Sequence, residues 1–291
     1  MSATVDVVVV AYGAADLLEE CLAGLAGTLP VLIVDNSSDP AVEAIARRRE
    51  ATYVDPGRNL GFAGGVNLGL SRRPDQGADV LLLNPDATIT SQGVMTLHRF
   101  LHSRPDLACV APVQVDPVDG ESARVAWPFP SPLGAWVEAI GLGTLRRRPD
   151  FMIGSVLLLR AEALADVGPF DEQFFLYAEE IDWERRAHDR GWQAALVPTV
   201  VATHVGAGTG GDAYAREVHF QASHERYVRK HFGTTGWRRY RTATIAGALA
   251  RALVLPGERS RKAAARFHLY RKGPCRVEAS LGDGANGSRP T

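Results

Sequence analysis

Asn84-Pro85-Asp86 follows directly after the apolar run Asp79-Val80-Leu81-Leu82-Leu83. An apolar run that stops at Asn-Pro-Asp predicts a buried strand that ends in a turn. Because ligands of open α/β sheets bind beyond strand ends, the oxygen-bearing side chains of Asn84 and Asp86 could hold a hard divalent cation against a phosphate. Asn, Pro and Asp also favour turns for local reasons, so a simple turn is the alternative.

Acidic residues are concentrated in a second stretch, Glu179-Glu180-Ile181-Asp182. A helix that begins at Glu179 would stabilise its first carboxylates through the helix dipole. Four aromatic side chains between residues 170 and 177 would place these acids beside apolar surface, which raises a carboxylate pKa towards that of a general base. The alternative is a solvated helix start whose acids pair with Arg185 and Arg186.

His204 follows two short predicted strands, residues 193–197 and 199–203, and precedes a glycine-rich loop. A histidine at a strand end could bind a metal ion or contact a phosphate. A single histidine can equally be structural. The ligand role is supported by the acidic candidates elsewhere in the chain.

Residues 58–69 contain four glycines and two asparagines. Glycine lets a backbone approach a ligand closely, and a helix beginning near Gly64 would direct free N–H groups at an anion. The spacing of these glycines does not match a dinucleotide-binding fingerprint, and the preceding strand is not the first in the chain, which disfavours a dinucleotide oxidoreductase. A tight packing turn is the remaining alternative.

The elements that must position these residues alternate between strand and helix. The Val-rich run at residues 5–11, a helical apolar face at 17–25 and the apolar run at 31–34 form a βαβ unit. A proline-rich excursion at residues 112–149 is expected to run over one face of the domain. Further strands are predicted at 51–54, 107–111 and 151–160, and further helices at 41–50 and 93–103.

Composition limits the class of protein. The chain has 291 residues, of which 46% are hydrophobic and 22% charged, enough for one large domain or two small ones. The formal net charge of −1 gives no overall field towards nucleic acid. The three cysteines lack metal-ligand or redox spacing, so we expect reduced thiols and a cytoplasmic location. We expect neither a transmembrane helix nor a signal peptide.

Residues 237–272 are strongly basic. Ten Lys and Arg residues against one Glu give a formal charge of +9. Because apolar residues are interleaved, this stretch could make peripheral contact with the inner face of the membrane. Pro256-Gly257 interrupts the pattern, which favours the alternative of a solvated helical appendage. The expected division is a catalytic domain at residues 1–232, a basic helical extension at 233–272 and a disordered tail at 273–291.

Taken together, these motifs strongly resemble the family 2 glycosyltransferases of the GT-A fold, and most closely the rhamnosyltransferase-like bacterial subgroup. The resemblance covers residues 5 to 230. It implies an α/β fold with a GT-A-like, Rossmann-type mixed, mainly parallel sheet flanked by helices. The matching motifs occur in family order at residues 7–12, 33–38, 59–69, 83–86 and 170–182.

The resemblance implies a role for each matching position. Asp86 would be the direct ligand of Mg²⁺ or Mn²⁺, and His204 would complete the metal site. Glu180 would be the general base, as the second member of the family's acidic pair. Asp35 would hydrogen-bond the uracil or thymine ring. The other donor-binding positions would be Ala11, Tyr12, Asn36, Arg58, Asn59, Gly64, Asn67 and Asn84.

Two positions depart from the family pattern. Asn84 replaces the first Asp of the metal motif and removes one negative charge. Glu180 replaces the Asp of the acidic pair, and one added methylene moves the carboxylate by about an ångström. The base is therefore Glu180, or else Glu179 or Asp182.

The implied reaction is inverting transfer of a sugar from a UDP- or dTDP-sugar, with a rhamnose-like or galactofuranose-like donor, to an acceptor hydroxyl in cell-surface glycan synthesis. The acceptor would be a glycan, a lipid-linked sugar or a small molecule. A nucleotidyltransferase should carry a basic residue and a glycine loop after its first strand, and residues 12–16 have neither. A non-catalytic glycan- or nucleotide-sugar-binding module is the alternative from another class.

Overall fold

The structure is a computed structural model that describes residues 5–13, 15–25, 27–143, 149–206 and 212–285. The described residues form two compact units. The first unit comprises those in the ranges 1–127, 149–175 and 179–210. The second unit comprises those in the ranges 128–148, 176–178 and 211–291.

The first part of the chain alternates regularly between strand and helix, as the βαβ pattern predicts. Its elements are β1 (Val5–Ala11), α1 (Ala15–Ala23), β2 (Val31–Asp35), α2 (Pro40–Arg48), β3 (Thr52–Val54), α3 (Gly61–Arg72) and β4 (Asp79–Leu83).

The middle of the chain is less regular. Its elements are β5 (Ala87–Thr88), α4 (Ser91–Ser103), β6 (Leu107–Val115), β7 (Ser122–Ala123), β8 (Ala126–Trp127), α5 (Pro132–Ala139), β9 (Phe151–Met152), β10 (Val156–Leu159), α6 (Ala161–Val167), α7 (Glu179–His188) and β11 (Gln193–His204). The C-terminal elements are α8 (Ala213–Val254), α9 (Gly257–Lys272) and α10 (Pro274–Ala285).

Nine strands of the described residues form one sheet in the first unit. Eight of them follow the order β3-β2-β1-β4-β10-β6-β11-β5, and β7 pairs with β6. The pairs from β3 to β4 are parallel, whereas β10 runs antiparallel to both β4 and β6. The predicted mixed α/β fold is therefore confirmed.

Both faces of β1 are buried, which explains its almost continuous run of valines. Val7 and Val9 belong to the core on one side of the sheet, and Val8 and Val10 to the core on the other. Helix α3 packs very close to this second side. A Cβ atom at Gly65 would lie 2.6 Å from Val10 Cγ1, so this glycine permits helix–sheet packing.

The glycine-rich segment differs from its prediction. Helix α3 begins at Gly61 rather than near Gly64, because Phe62 N donates to Phe175 O (2.8 Å) and thereby starts the helix earlier. Gly61 has φ 72°, a conformation that favours glycine. Packing at Gly65 and Gly69 supports the packing alternative for these two glycines.

Two predicted strand boundaries also need correction. The single strand predicted at residues 151–160 is divided into β9 and β10. Strand β9 pairs with β8 outside the main sheet, and Ile153 N donates to Val125 O (2.9 Å). The two strands predicted at 193–197 and 199–203 are one strand, β11, with a register shift between Val197 and Val201.

The second unit consists of helices. Helix α8 packs against α5, α9 and α10, and its helical geometry is interrupted at Gly233 (φ 65°, ψ −172°). The predicted domain boundary at residue 232 coincides with this interruption, although the compact unit begins earlier in the chain. None of the helices in the described ranges is both long and apolar enough to cross a membrane.

The prediction of a disordered tail from residue 273 is wrong for Pro274–Ala285, which forms α10. Tertiary contacts hold this helix in place. Glu278 accepts a hydrogen bond from His219 Nδ1 (2.8 Å) and forms an ion pair with Arg226. The remaining predicted tail, residues 286–291, lies outside the described residues.

Candidate active site

The turn after β4 has the geometry that its sequence predicts. Asn84 N donates to Ser155 O (2.8 Å), and Ala87 N donates back to Asn84 O (3.1 Å). The chain then enters β5, which pairs antiparallel with the end of β11 so that Ala87 lies opposite His204. This pairing brings the side chain of Asp86 next to that of His204.

Asp86 and His204 form a candidate ligand pair. His204 Nε2 lies 3.3 Å from Asp86 Oδ1, and both side chains are largely buried. Two ligands at about 2.1 Å from one octahedral ion lie about 3 Å apart, so the observed separation fits two ligands of one cation. The structure therefore brings together the two residues that the sequence assigned to the metal.

Glu180 lies close to the same turn. A Cβ atom at Gly154 would lie 3.4 Å from Glu180 Cβ and 3.9 Å from its carboxyl carbon. Gly154 immediately precedes Ser155, whose carbonyl binds the amide of Asn84. Gly154 and Ser155 thus connect the first turn of α7 to the turn that follows β4, which also carries Asp86.

Glu179 is the more buried member of the acidic pair. Its Oε2 atom has no hydrogen-bond partner among the described residues. Burial raises the pKa of Glu179 well above its ordinary value, and the neighbouring charge of Glu180 raises it further. Both effects favour the protonated form of Glu179, and the less buried Glu180 is therefore the better candidate for the ionised carboxylate of the pair.

Asp182, the third candidate base, has a different environment. Its buried carboxylate accepts a hydrogen bond from Arg186 Nε (2.9 Å). The same guanidinium donates to Val167 O and Pro169 O, at 2.9 and 2.8 Å. Asp182 consequently ties α7 to the end of α6, and this structural task makes it a poor candidate for the base.

Asp35, the predicted nucleobase contact, is fully buried at the end of β2. Its carboxylate accepts hydrogen bonds from Ser37 N (2.9 Å), Asp39 N (2.7 Å) and the Tyr53 hydroxyl (3.0 Å). Burial and the nearby Asp35 charge together raise the pKa of Tyr53. Asp35 thus stabilises the turn that follows β2 through these hydrogen bonds.

Ala11, Tyr12 and Asn36 lie around the same strand ends. Ala11 is opposite Asp35 in the parallel pair β1–β2, and its carbonyl accepts from Asn36 N (2.9 Å). The Tyr12 side chain is exposed, whereas Ala11 is buried. Asn36 Nδ2 donates to Gly61 O (2.9 Å) and so connects this edge to the start of α3.

The predicted ribose and diphosphate contacts are dispersed around the start of α3. Arg58 and Asn59 are exposed, and Asn59 Oδ1 accepts from Gly61 N (2.9 Å). Gly64 is buried, with its missing Cβ 2.9 Å from Leu60 Cβ. Asn84 is partly buried at the end of β4.

Asn67 holds the segment that precedes α7. Its Oδ1 accepts from Phe170 N (2.9 Å), and its Nδ2 donates to Phe170 O (2.9 Å) and to Glu172 Oε1 (2.9 Å). In this structure both ends of the amide are therefore engaged by protein groups. The predicted donor contact at Asn67 remains a prediction.

Comparison with known proteins identifies the family. The model for "Glycosyl transferase family 2" matches residues 6–167, more than half of the chain. The chain belongs to this family.

Relatives of this glycosyltransferase agree in activity class. It is 28% identical over 284 residues to N-acetylglucosaminyl-diphospho-decaprenol L-rhamnosyltransferase of Mycobacterium tuberculosis, covering 86% of this chain and 92% of the relative. It is 25% identical over 210 residues to the low-salt glycan biosynthesis hexosyltransferase Agl10 of Haloferax volcanii, covering 68% and 66% of the two chains. The protein is thus an enzyme of glycan synthesis.

Solved structures show the same GT-A fold at low sequence identity. A Pyrobaculum calidifontis mannosyltransferase, in complex with GDP-mannose and Mn²⁺, has a TM-score of 0.60 and 17% identity, covering 100% of this chain and 82% of that one. Glucosyl-3-phosphoglycerate synthase of M. tuberculosis, in complex with Mn²⁺, UDP and phosphoglyceric acid, has a TM-score of 0.56 and 18% identity, covering 79% and 78%. At this identity the likeness shows the fold alone.

Sequence reasoning missed the role of Glu184 in this glycosyltransferase. Its buried carboxylate accepts from Met152 N (3.0 Å) and Cys109 Sγ (3.4 Å). Burial raises the pKa of Glu184 well above its ordinary value. No local signal marks this residue, because its partners lie 32 and 75 positions away in the chain.

A second group of possible metal ligands comprises Asp79, His98 and His102, and with Arg160, which lies 3.4 Å from His102, it forms what we call the Asp79 cluster. His98 and His102 are one helical turn apart on α4, and their ligand atoms lie within 4.8 Å of each other and of an Asp79 oxygen. His102 Nε2 is 2.7 Å from Asp79 Oδ2, and Asp79 Oδ1 accepts from Ala161 N (2.9 Å). The cluster lies at the start of β4, whereas Asp86 follows its end.

Proposed function

We propose that this glycosyltransferase moves a rhamnose-like deoxysugar from a UDP- or dTDP-sugar to a hydroxyl of a lipid-linked sugar, with inversion. The acceptor class is suggested by the mycobacterial relative, whose name describes a rhamnosyltransferase acting on a decaprenol-linked sugar. That similarity extends over 92% of the relative, so it includes both units of the present chain.

The observation that carries the proposal is the close approach of Asp86 and His204, which lie 3.3 Å apart where β5 pairs with β11. Glu180 packs against Gly154, whose neighbour Ser155 holds the turn that carries Asp86. A cation at Asp86 and His204 together with the Glu180 carboxylate would provide the two functions that inverting sugar transfer requires, which are leaving-group stabilisation and acceptor deprotonation.

In the proposed step, the acceptor oxygen attacks the anomeric carbon as its proton passes to a Glu180 carboxylate oxygen. The bond between the anomeric carbon and the diphosphate oxygen breaks, and its electron pair leaves with the nucleoside diphosphate. Attack from the face opposite the leaving group inverts the anomeric configuration. Burial favours the protonated form of Glu179, so we assign the acceptance of this proton to Glu180.

Asp86 and His204 would hold the divalent cation. The donor set of one carboxylate oxygen and one imidazole nitrogen fits Mn²⁺ or Mg²⁺ when donor diphosphate oxygens complete the shell. When bound, the cation neutralises charge on the departing diphosphate. With Asn84 in place of a second acid, the protein supplies one negative charge fewer, so the metal site depends more strongly on the donor itself.

The nucleoside would bind at the ends of β1 and β2. Ala11 and Asp35 are register partners there, and the exposed Tyr12 directly follows Ala11 in the chain. We propose that Asp35 and Asn36 shape the base pocket, and that Arg58 and Asn59, both exposed, approach the ribose and diphosphate.

The direct test is turnover of dTDP-rhamnose and UDP-sugars with a polyprenyl-diphosphate-linked N-acetylglucosamine acceptor, in the presence of Mn²⁺ or Mg²⁺. Wild-type protein should form product with inverted anomeric configuration, and Glu180→Gln should not. Glu180→Asp, which restores the family's shorter acid, is the matched variant that should retain activity. Donor binding without any turnover under these conditions would favour a non-catalytic nucleotide-sugar-binding module instead.

A further inference from the structure

Helix α5 in the second unit exposes its large apolar side chains. Leu133, Trp136 and Ile140 recur at helical spacing, and Leu133 and Ile140 are 76% and 66% exposed. The buried positions of the same helix are small, namely Gly134 and Ala135. An ordinary amphipathic surface helix has the opposite arrangement, so the exposed face of α5 is suited to another partner.

The end of α8 extends this apolar surface. Leu249, Leu253 and Val254 are exposed, the last two by 78% and 80%. Leu249 and Leu253 are one helical turn apart, so they lie on the same side of the helix.

The two helices run parallel, which brings their C-terminal ends together. A Cβ atom at Gly236 would lie 3.6 Å from Pro132 Cγ, and one at Gly247 would lie 2.8 Å from Ala139 Cα. Arg251 Nη1 also donates to Glu138 O (3.3 Å). Ile140 therefore follows the end of α5 near Gly247, whereas Leu133 lies at its start near Gly236. We call the exposed apolar residues along the two helices the apolar patch: Leu133, Trp136, Ile140, Leu142, Leu249, Leu253 and Val254.

Positive charge follows the apolar patch in the chain. The first turns of α9 carry exposed Arg259, Arg261 and Lys262, and their only acidic neighbour there, Glu258, pairs with Lys262 at 2.8 Å. In the sequence, three consecutive arginines at 146–148 follow the α5 segment. The chain as a whole has a formal charge of −1, so this basic character is local.

We propose that the apolar patch docks on a membrane surface that contains anionic lipids. Its side chains enter the boundary between headgroups and acyl chains, and the arginines and lysine at the start of α9 bind lipid phosphates. The purpose of the contact rests on the proposed function, because a lipid-linked acceptor presents its sugar at that surface. The sequence offered residues 237–272 as a possible membrane contact beside a solvated appendage. Of that stretch, only the end of α8 and the start of α9 contribute to the proposed contact, and α5 is added.

Charge favours a bilayer over a second copy of the chain as the occupant. A symmetric dimer through the apolar patch would bring the same basic groups of two protomers towards each other, and like charges across an interface are unfavourable. An anionic membrane neutralises them and also receives the apolar side chains. A single partner, the anionic membrane, then accommodates both the basic groups and the apolar side chains.

The test uses the full chain and flotation with vesicles of phosphatidylcholine, or of an equal mixture of phosphatidylcholine and phosphatidylglycerol. Wild-type protein should float with the mixed vesicles, and the membrane-bound fraction should fall with added salt. The double variant Leu253→Glu/Val254→Glu should reduce the partition coefficient at least about tenfold. Ile140→Glu on α5 should reduce it independently, and Val118→Glu, at an exposed valine of the first unit, is the matched control.

Several results would overturn the proposal. One is equal vesicle binding by the double variant, Ile140→Glu and the Val118→Glu control. Another is a wild-type dimer that does not bind vesicles and that the double variant dissociates, as measured by analytical ultracentrifugation. Binding of dTDP and turnover of a water-soluble acceptor should be the same in all these proteins. Loss of vesicle binding with normal turnover thus separates this surface from the catalytic proposal.

Discussion

The two ends of β4 carry similar residue types in different hydrogen-bonding environments. At its start, the Asp79 cluster combines a buried carboxylate with two histidines and Arg160. Beyond its end, the Asp86 site combines a buried carboxylate with His204 and the acidic pair Glu179–Glu180. Residue types alone would mark both places as candidate metal sites.

Hydrogen bonding distinguishes the two ends. In the Asp79 cluster, both Asp79 oxygens have partners, and Arg160 donates to the carbonyls of Leu101 and Arg104 at the end of α4 and of Leu107 at the start of β6. In the Asp86 site, Glu179 Oε2 is buried without a hydrogen-bond partner among the described residues. Satisfied polar networks stabilise a fold, whereas buried groups with raised pKa values are concentrated at functional sites.

The largest expected effect in the comparison comes from Glu180. Glu180→Gln keeps the shape of the side chain but removes the proton acceptor, so kcat should fall roughly 10²–10⁴-fold. Glu179→Gln should lower kcat much less, because burial and the neighbouring Glu180 charge favour the protonated form of Glu179. Steady-state kinetics with saturating donor and acceptor measures both. A larger loss in Glu179→Gln would reverse the assignment of the base.

The cation site should show the next largest effect. Asp86→Ala should lower turnover about a hundredfold or more, because a bound cation contributes several kcal/mol of transition-state stabilisation. It should also raise the Mn²⁺ concentration needed for half-maximal rate. His204→Ala should act in the same direction with a smaller effect. Unchanged metal dependence in both variants would place the cation elsewhere.

The Asp79 cluster should respond in stability rather than in catalysis. Asp79→Ala leaves Ala161 N, His98 and His102 without their carboxylate partner and should lower the free energy of unfolding by about 2–3 kcal/mol. Urea denaturation measures the loss. The Mn²⁺ dependence of turnover, measured on the folded variant at low temperature, should match that of the wild type.

Glu184 gives a smaller, pH-dependent effect. Its folded-state pKa lies above the ordinary value of 4.5, so the native protein binds this proton more tightly than the unfolded chain does. The free energy of unfolding therefore falls as pH rises above 4.5 and towards the folded-state pKa. Glu184→Gln retains an oxygen for Met152 N and has no proton to lose.

Thermal melts of wild type and Glu184→Gln at about pH 5 and about pH 8 test this linkage. The variant should gain Tm relative to the wild type as pH rises. A constant difference in Tm between the two proteins would show that Glu184 does not change protonation on unfolding. Activity at both pH values serves as the control, because Glu184 is buried beneath β6 and β9.

The sequence predicted the fold because the fold depends on local patterns, and the family resemblance predicted that Asp86 and His204 belong to one site. Continuous valine and leucine runs identify buried strands, and β1 begins and ends where its run does. Asp86 and His204 each follow a predicted strand, and strand pairing then brings them together.

The remaining features depend on long-range partners. Helix α3 begins at Gly61 because Phe175, 113 positions beyond Phe62, accepts its amide proton. The structural roles of Asp182 and Asp79 depend on their contacts with Arg186 and with the α4 histidines, respectively. Helix α10 is held by the contacts of Glu278 with His219 and Arg226 on α8. Spacing along the chain contains none of this information.

The central claim is that the end of β4 at Asp86, and not its start at Asp79, binds the donor diphosphate through a divalent cation. Isothermal titration of dTDP and UDP into wild type, Asp86→Asn and Asp79→Asn, each with and without Mn²⁺, tests it most directly. We predict that Mn²⁺ tightens binding to wild type and Asp79→Asn, and that Asp86→Asn loses this effect. Loss of the Mn²⁺ effect in Asp79→Asn, with Asp86→Asn unchanged, would contradict the account.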